Sequence, residues 1–133
     1  MNGQGARPAE IPRVARRVLV VDDDADILET LSEILQLEGF AVCRARNGEE
    51  ALAELARCPV DLVLLDLVMP VMNGWEFARR LALRPEGQRP PLLIVSADRN
   101  VALKAREIGA VGWVGKPFDL SALLARIREV MVP

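Results

Sequence analysis

The sequence predicts an α/β protein: a parallel sheet with helices on both faces, forming a three-layer (βα)5 sandwich. Three observations carry that prediction. Short apolar runs alternate with stretches whose apolar residues recur every three or four positions, and the alternation repeats five times along the chain. The middle runs are apolar at every position, as strands covered on both faces must be. Strict alternation of strand and helix, with right-handed crossovers, then points to a five-stranded parallel sheet.

Taken in order, residues 1–17 hold two prolines, two glycines and four arginines (Arg7, Arg13, Arg16 and Arg17) with little periodicity. They read as a flexible basic arm preceding a domain over 18–132. The spacing predicts strands at 18–21, 41–45, 62–65, 92–95 and 112–114, and helices at 27–38, 49–57, 75–83, 101–108 and 120–132. Punctuation agrees: Gly39 follows the first helix, Asn47-Gly48 precedes the second and Gly109 follows the fourth.

At 133 residues the chain is one domain's worth, and 51% hydrophobic with 27% charged residues fits a compact globule. A formal net charge of -2 gives no bulk attraction for nucleic acid or an anionic membrane. No apolar run approaches the roughly 18 residues that span a bilayer, and no signal-peptide core is visible, so the expected compartment is the cytoplasm. Cys43 and Cys58 are too few and too differently placed for a disulfide framework or a zinc site. Cys43 reads as core and Cys58 as neutral. The chain has no histidine, which removes a Ser/His/Asp triad, a histidine metal ligand and a histidine phosphoryl carrier. Any histidine chemistry must come from a partner.

In open parallel sheets, ligands bind beyond the carboxyl ends of the strands. Just past the first strand stand Asp22, Asp23 and Asp24; past the third, Asp66; past the fourth, Ser96; past the fifth, Lys116. Three adjacent aspartates repel one another, and aspartate is a poor strand former, so the cluster needs a reason. Asp24 or Asp26 serves as helix cap or first-turn acid. For the others, hard oxygen ligands in this number suit Mg²⁺, which also relieves the repulsion. Singly, Ser96 reads as a turn residue and Lys116 as a surface charge; their joint placement with Asp66, directly after a buried strand, makes the case.

These residues carry a resemblance. With "VLVVDDD", "DLVLLDLVMPVMNGWEF", "LLIVSA" and "GKPF" in order and spacing, the stretch 18–131 resembles the receiver domain of two-component response regulators. The resemblance implies a flavodoxin-like fold with strand order 2-1-3-4-5. It implies Asp66 as the phosphoacceptor, taking a phosphoryl group from a phosphohistidine on a sensor histidine kinase or phosphotransfer protein. It further implies Mg²⁺ held by Asp23, by Asp22 through water, by Asp66 and by the backbone carbonyl of Val68. Ser96 and Lys116 would each bind a phosphoryl oxygen, with a cis bond between Lys116 and Pro117. Movement of Ser96 would drag the loop "SADRN" and make room for Trp113, which stands where an aromatic switch residue, more usually Tyr or Phe, is placed. The partners implied are that phosphodonor and a downstream effector or attached output domain, with no direct nucleic-acid or membrane contact.

Other readings fit less well. A haloacid-dehalogenase-like phosphatase needs a second aspartate two residues after the nucleophile, where this chain has Val68. A phosphate-binding loop in "GAVGWVGK" fails because Ala110 replaces the required glycine and Pro117 the Ser/Thr. A phosphate-independent interaction module has no physical need for the repulsive aspartates. Regulators that dimerise through the fourth and fifth helices carry acidic residues where this chain has Val111, Gly112 and Ala122, although Arg126 remains. Whether the chain is free-standing or belongs to a longer protein is left open by its sequence.

Overall fold

The computed structural model describes residues 16–131. Its elements are β1 (Arg17–Val21), α1 (Ala25–Leu37), β2 (Ala41–Ala45), α2 (Gly48–Arg57), β3 (Leu62–Leu65), α3 (Gly74–Leu81), β4 (Leu92–Ser96), α4 (Val101–Ile108), β5 (Gly112–Gly115) and α5 (Leu120–Val130). A single turn of 3₁₀ helix at Glu86–Gln88, absent from the sequence reading, leads into β4. All strand pairs are parallel and their order is β2-β1-β3-β4-β5, as expected.

Boundaries move by one or two residues, mostly for reasons of capping. Asp24 is the N-cap of α1, its carboxylate accepting from the Asp26 and Ile27 amides, so the helix starts at Ala25 and not at Ile27. Asn47, Asn73 and Asp119 cap α2, α3 and α5 in the same way. Gly39, at φ 98°, closes α1 with the amides of Gly39 and Phe40 donating to the Gln36 and Leu35 carbonyls. The helix stops there because a left-handed residue turns the chain away. Arg17 is corrected from arm to strand: it pairs with Ala41, and its amide donates to Asp61 Oδ2 at 2.8 Å. Arg16, also assigned to the arm, accepts at its carbonyl from the Ala41 amide at 2.9 Å, while residues 1–15 and the last two residues of the chain lie outside the described residues.

β1, β3 and β4 form the middle of the sheet, and the sheet divides the core in two. Leu19, Val21, Val63 and Leu65 point to the face covered by α2, α3 and α4, where they meet Leu55, Phe77 and Ala105. Val18, Val20, Leu62 and Leu64 point to the opposite face, against Leu31 and Leu35 of α1 and Leu123 and Ile127 of α5. Each such fully buried large side chain stabilises the fold by about 1.5–3 kcal/mol relative to exposure. With both faces covered, the open edge of function lies at the strand ends.

Candidate functional site

Each group at the carboxyl end of the sheet is positioned by the strand that delivers it. The Asp22 amide donates to the Ala45 carbonyl and the Asp66 amide to the Val21 carbonyl, both at 3.0 Å, extending the parallel ladders one residue past β1 and β3. Side by side on neighbouring strands, Asp22 and Asp66 are both buried, whereas Asp23 is exposed. One carboxylate oxygen from each of the three lies within 4.8 Å of the others. These are hard donors in a group compact enough to share one small divalent cation.

Lys116 enters from β5. Its amide donates to the Ser96 carbonyl at 2.9 Å, and the cis Lys116–Pro117 bond follows. Its ammonium lies 2.6 Å from Asp22 Oδ2 and 3.4 Å from Asp66 Oδ2. Burial acts to lower the lysine pKa, but the hydrogen bond to Asp22 and the charges of both aspartates outweigh it and hold the ammonium above its ordinary value. Asp22 goes the other way from a simple ion-pair partner. Desolvation pushes its carboxyl up, and the bonds from Lys116 and the Asp24 amide do not fully offset it. Three acids facing one ammonium leave negative charge in excess.

Ser96 closes β4, and its side chain is buried. Its Oγ accepts from the Asp98 amide at 3.3 Å, leaving the hydroxyl proton free to donate elsewhere. The Asp98 carboxylate accepts from Lys104 Nζ at 2.5 Å and from the Asn100 amide at 2.7 Å. Trp113 lies on the outer surface of β5, paired in register with Ile94 and 44% exposed.

The loop after Asp66 is held by contacts the sequence reading passed over. The Val68 amide donates to Asp66 Oδ1 at 3.4 Å, and the Val68 side chain is exposed. Val71 adopts φ 65°, a left-handed conformation costly for a β-branched residue, and the Met72 amide closes a tight turn on the Pro70 carbonyl at 2.7 Å. The Met72 carbonyl accepts from the Gly48 amide at 2.7 Å, tying the loop to the start of α2. Gly74 packs so closely that a Cβ there would lie 2.2 Å from the Asp66 carbonyl oxygen. The "NG" of "VMNGW" was the available signal: a cap followed by a residue that must be small.

The two cysteines correct the sequence reading. Cys43 is half-buried, and its sulfur lies 3.5 Å from that of Cys58, because β2 passes under the end of α2. Sequence separation gave no sign of that meeting.

Residues 18–128 match the family model for the response regulator receiver domain. The chain is 39% identical over 119 residues to the transcriptional regulatory protein CpxR of Escherichia coli (strain K12), covering 86% of this chain and 49% of that one. It is 38% identical over 117 residues to response regulator MprA of Mycobacterium leprae (strain TN), covering 86% and 50%. It thus spans about half the length of these curated relatives. Among solved structures, chemotaxis response regulator CheY4 of Vibrio cholerae aligns with a TM-score of 0.77 at 34% identity, over 87% of this chain and 98% of that one.

Proposed function

Because this chain belongs to the response regulator receiver domain family, we propose that it is a switch set by phosphorylation of Asp66 and read on the surface around Trp113. The observation that carries the reading is the ammonium of Lys116 shared between Asp22 and Asp66 at the ends of three strands. Such an arrangement gathers a nucleophile and a counter-charge in a site where three clustered carboxylates face a single ammonium.

In the proposed step an Asp66 carboxylate oxygen attacks the phosphorus of a phosphohistidine on a partner kinase or phosphotransfer protein. A P–O bond forms, the P–N bond breaks, and the partner's imidazole leaves with the electron pair. Phosphoryl transfer asks mainly for positioning and charge neutralisation. Lys116 has the reach to follow a phosphoryl oxygen from its place beside Asp66, and the free Ser96 hydroxyl proton suits a second oxygen. Asp22, Asp23 and Asp66, with the Val68 carbonyl, are the residues that would hold Mg²⁺. When bound, that ion would supply positive charge against the phosphoryl oxygens. We place the exchange in the cytoplasm.

An acyl phosphate brings roughly -1.5 to -2 charges, by analogy with phosphate monoesters, and strong acceptor oxygens. Ser96 drawn toward it would pull residues 97–100 and open space beside β5 for Trp113. The recipient of the signal is a downstream protein or an output domain joined to the receiver, as the half-length match to the curated relatives suggests.

Acetyl phosphate with Mg²⁺ should add one phosphoryl group to the wild type and none to Asp66→Ala, read by intact mass spectrometry. Equal labelling of the two proteins would sink the assignment. For the output surface, beryllofluoride should perturb amide signals of residues 97–116 more than those of 49–57. Equal shifts in both regions would mean that the switch is not local to this face.

A further inference from the structure

Away from the phosphorylation site, Cys43 and Cys58 bring two thiols into contact. Cys43 lies in the middle of β2, an edge strand, and Cys58 is the first residue after α2. Their sulfurs are 3.5 Å apart, so closing to a bond of about 2.05 Å asks for movement of roughly 1.5 Å. Cys58 can supply it. It sits in extended backbone at the helix end, ahead of Pro59, held by its amide on the Glu54 carbonyl at 3.2 Å. Neither cysteine is sealed in the core. Cys58 also lines an open depression of about 340 Å³ with Val60, Arg84, Gln88 and Arg89, large enough to admit a small polar oxidant.

We propose that Cys43 and Cys58 form a reversible redox pair, oxidised by a hydroperoxide to an intramolecular disulfide that staples the end of α2 to β2. The Cys58 thiolate attacks the peroxide O–O bond, giving a sulfenic acid and releasing water or the alcohol. The Cys43 sulfur then attacks the Cys58 sulfur; the S–O bond breaks, and the hydroxide leaves as water with the Cys43 proton. The peroxide takes up the two electrons that the thiols lose. The order of events follows from access and from charge. Burial, reinforced by the neighbouring Cys58, pushes the Cys43 thiol up to about 11, so it stays protonated and acts second.

This pairing is independent of the chemistry at Asp66, and its test uses the full chain without phosphodonor. Excess hydrogen peroxide should remove two hydrogens from the intact mass and give a Cys43–Cys58 cross-linked peptide that dithiothreitol reverses. The staple closes a loop of about 15 residues and should raise Tm by roughly 5–10 °C. In Cys43→Ser, Cys58 should accumulate a sulfenic acid trapped by dimedone; in Cys58→Ser, Cys43 should remain a thiol over the same time. Circular dichroism of both variants checks that each is folded. Over-oxidation of Cys58 without a cross-link, a cross-link between chains, or zinc retained by Cys43, Glu54 and Cys58 with both thiols unreactive would each overturn the proposal.

Discussion

Lys104 pairs with Asp98 just past the end of β4: its Nζ, one turn into α4, lies 2.5 Å from Asp98 Oδ2. The pair joins the residue two positions past Ser96 to the helix that follows, and it keeps the Asp98 carboxyl below its ordinary value chiefly through that hydrogen bond. With Asp98 engaged and Val68 offering only an apolar side chain, nothing at these two positions is free to orient a hydrolytic water.

The aspartyl phosphate of the proposed function should therefore be long-lived. Val68→Asn should hydrolyse faster, by up to about tenfold, a fraction of what a well-positioned proton-transfer group supplies. Lys104→Met, which frees the Asp98 carboxylate, should also accelerate loss, while Asp98→Ala should stay close to wild type. The measurement is phosphoryl loss over time after removal of the donor. A markedly slower Asp98→Ala would show that Asp98 already recruits the water and that the ion pair does not sequester it.

Asp22 predicts a pH effect. Its folded-state pKa is raised, chiefly by burial, so the native protein holds this proton more tightly than the unfolded chain. The stability this lends is present at low pH and is lost as pH rises through the folded value. Asp22→Asn removes that loss. Without Mg²⁺ the variant should be more stable than wild type at neutral pH, and the advantage should fade below the ordinary carboxylate range. Urea unfolding midpoints between pH 3 and 8 read this directly. An advantage that grew toward low pH would contradict the sign.

Two glycines separate a rigid clash from a soft one. Gly74→Ala puts a methyl 2.2 Å from the Asp66 carbonyl oxygen and 3.0 Å from the Leu67 Cα, backbone that cannot retreat without moving the loop after Asp66. The expected cost is about 2–4 kcal/mol. Gly112→Ala meets only the Arg126 guanidinium at 2.5 Å, the end of a flexible arm, and should cost under about 1 kcal/mol. Denaturant titration of both variants checks the contrast, and comparable losses would mean that Arg126 is locked in place.

The sheet was legible because its signals are local: each strand is a short apolar run, and four of the five end in a polar or charged residue, Asp22, Asp66, Ser96 or Lys116. The placement of Asp22, Asp66, Ser96 and Lys116 followed from the parallel topology alone. What escaped was non-local or unusual. Lys104 finds Asp98 across a turn whose geometry leaves no compositional trace. Cys43 meets Cys58 only after β2 and α2 have packed, and neither residue has a neighbour that marks it. Val71 occupies a conformation its side chain disfavours, so propensity argues against what the loop imposes. Arg17 looked like arm because a charged residue at a strand edge resembles a linker until its partner Ala41 is known.

The division of the core by the sheet bears on how this sequence can drift. A methylene lost at Ile127 opens space beside Leu35 and Leu123, and an added one there can fill it; Phe77, across the strands, is no help. Compensating changes are thus confined to one side of the partition. The layer of α1 and α5 and the layer of α2, α3 and α4 are free to accumulate substitutions as two separate histories, joined by the backbone of β1, β3 and β4 and by the acidic residues at its rim.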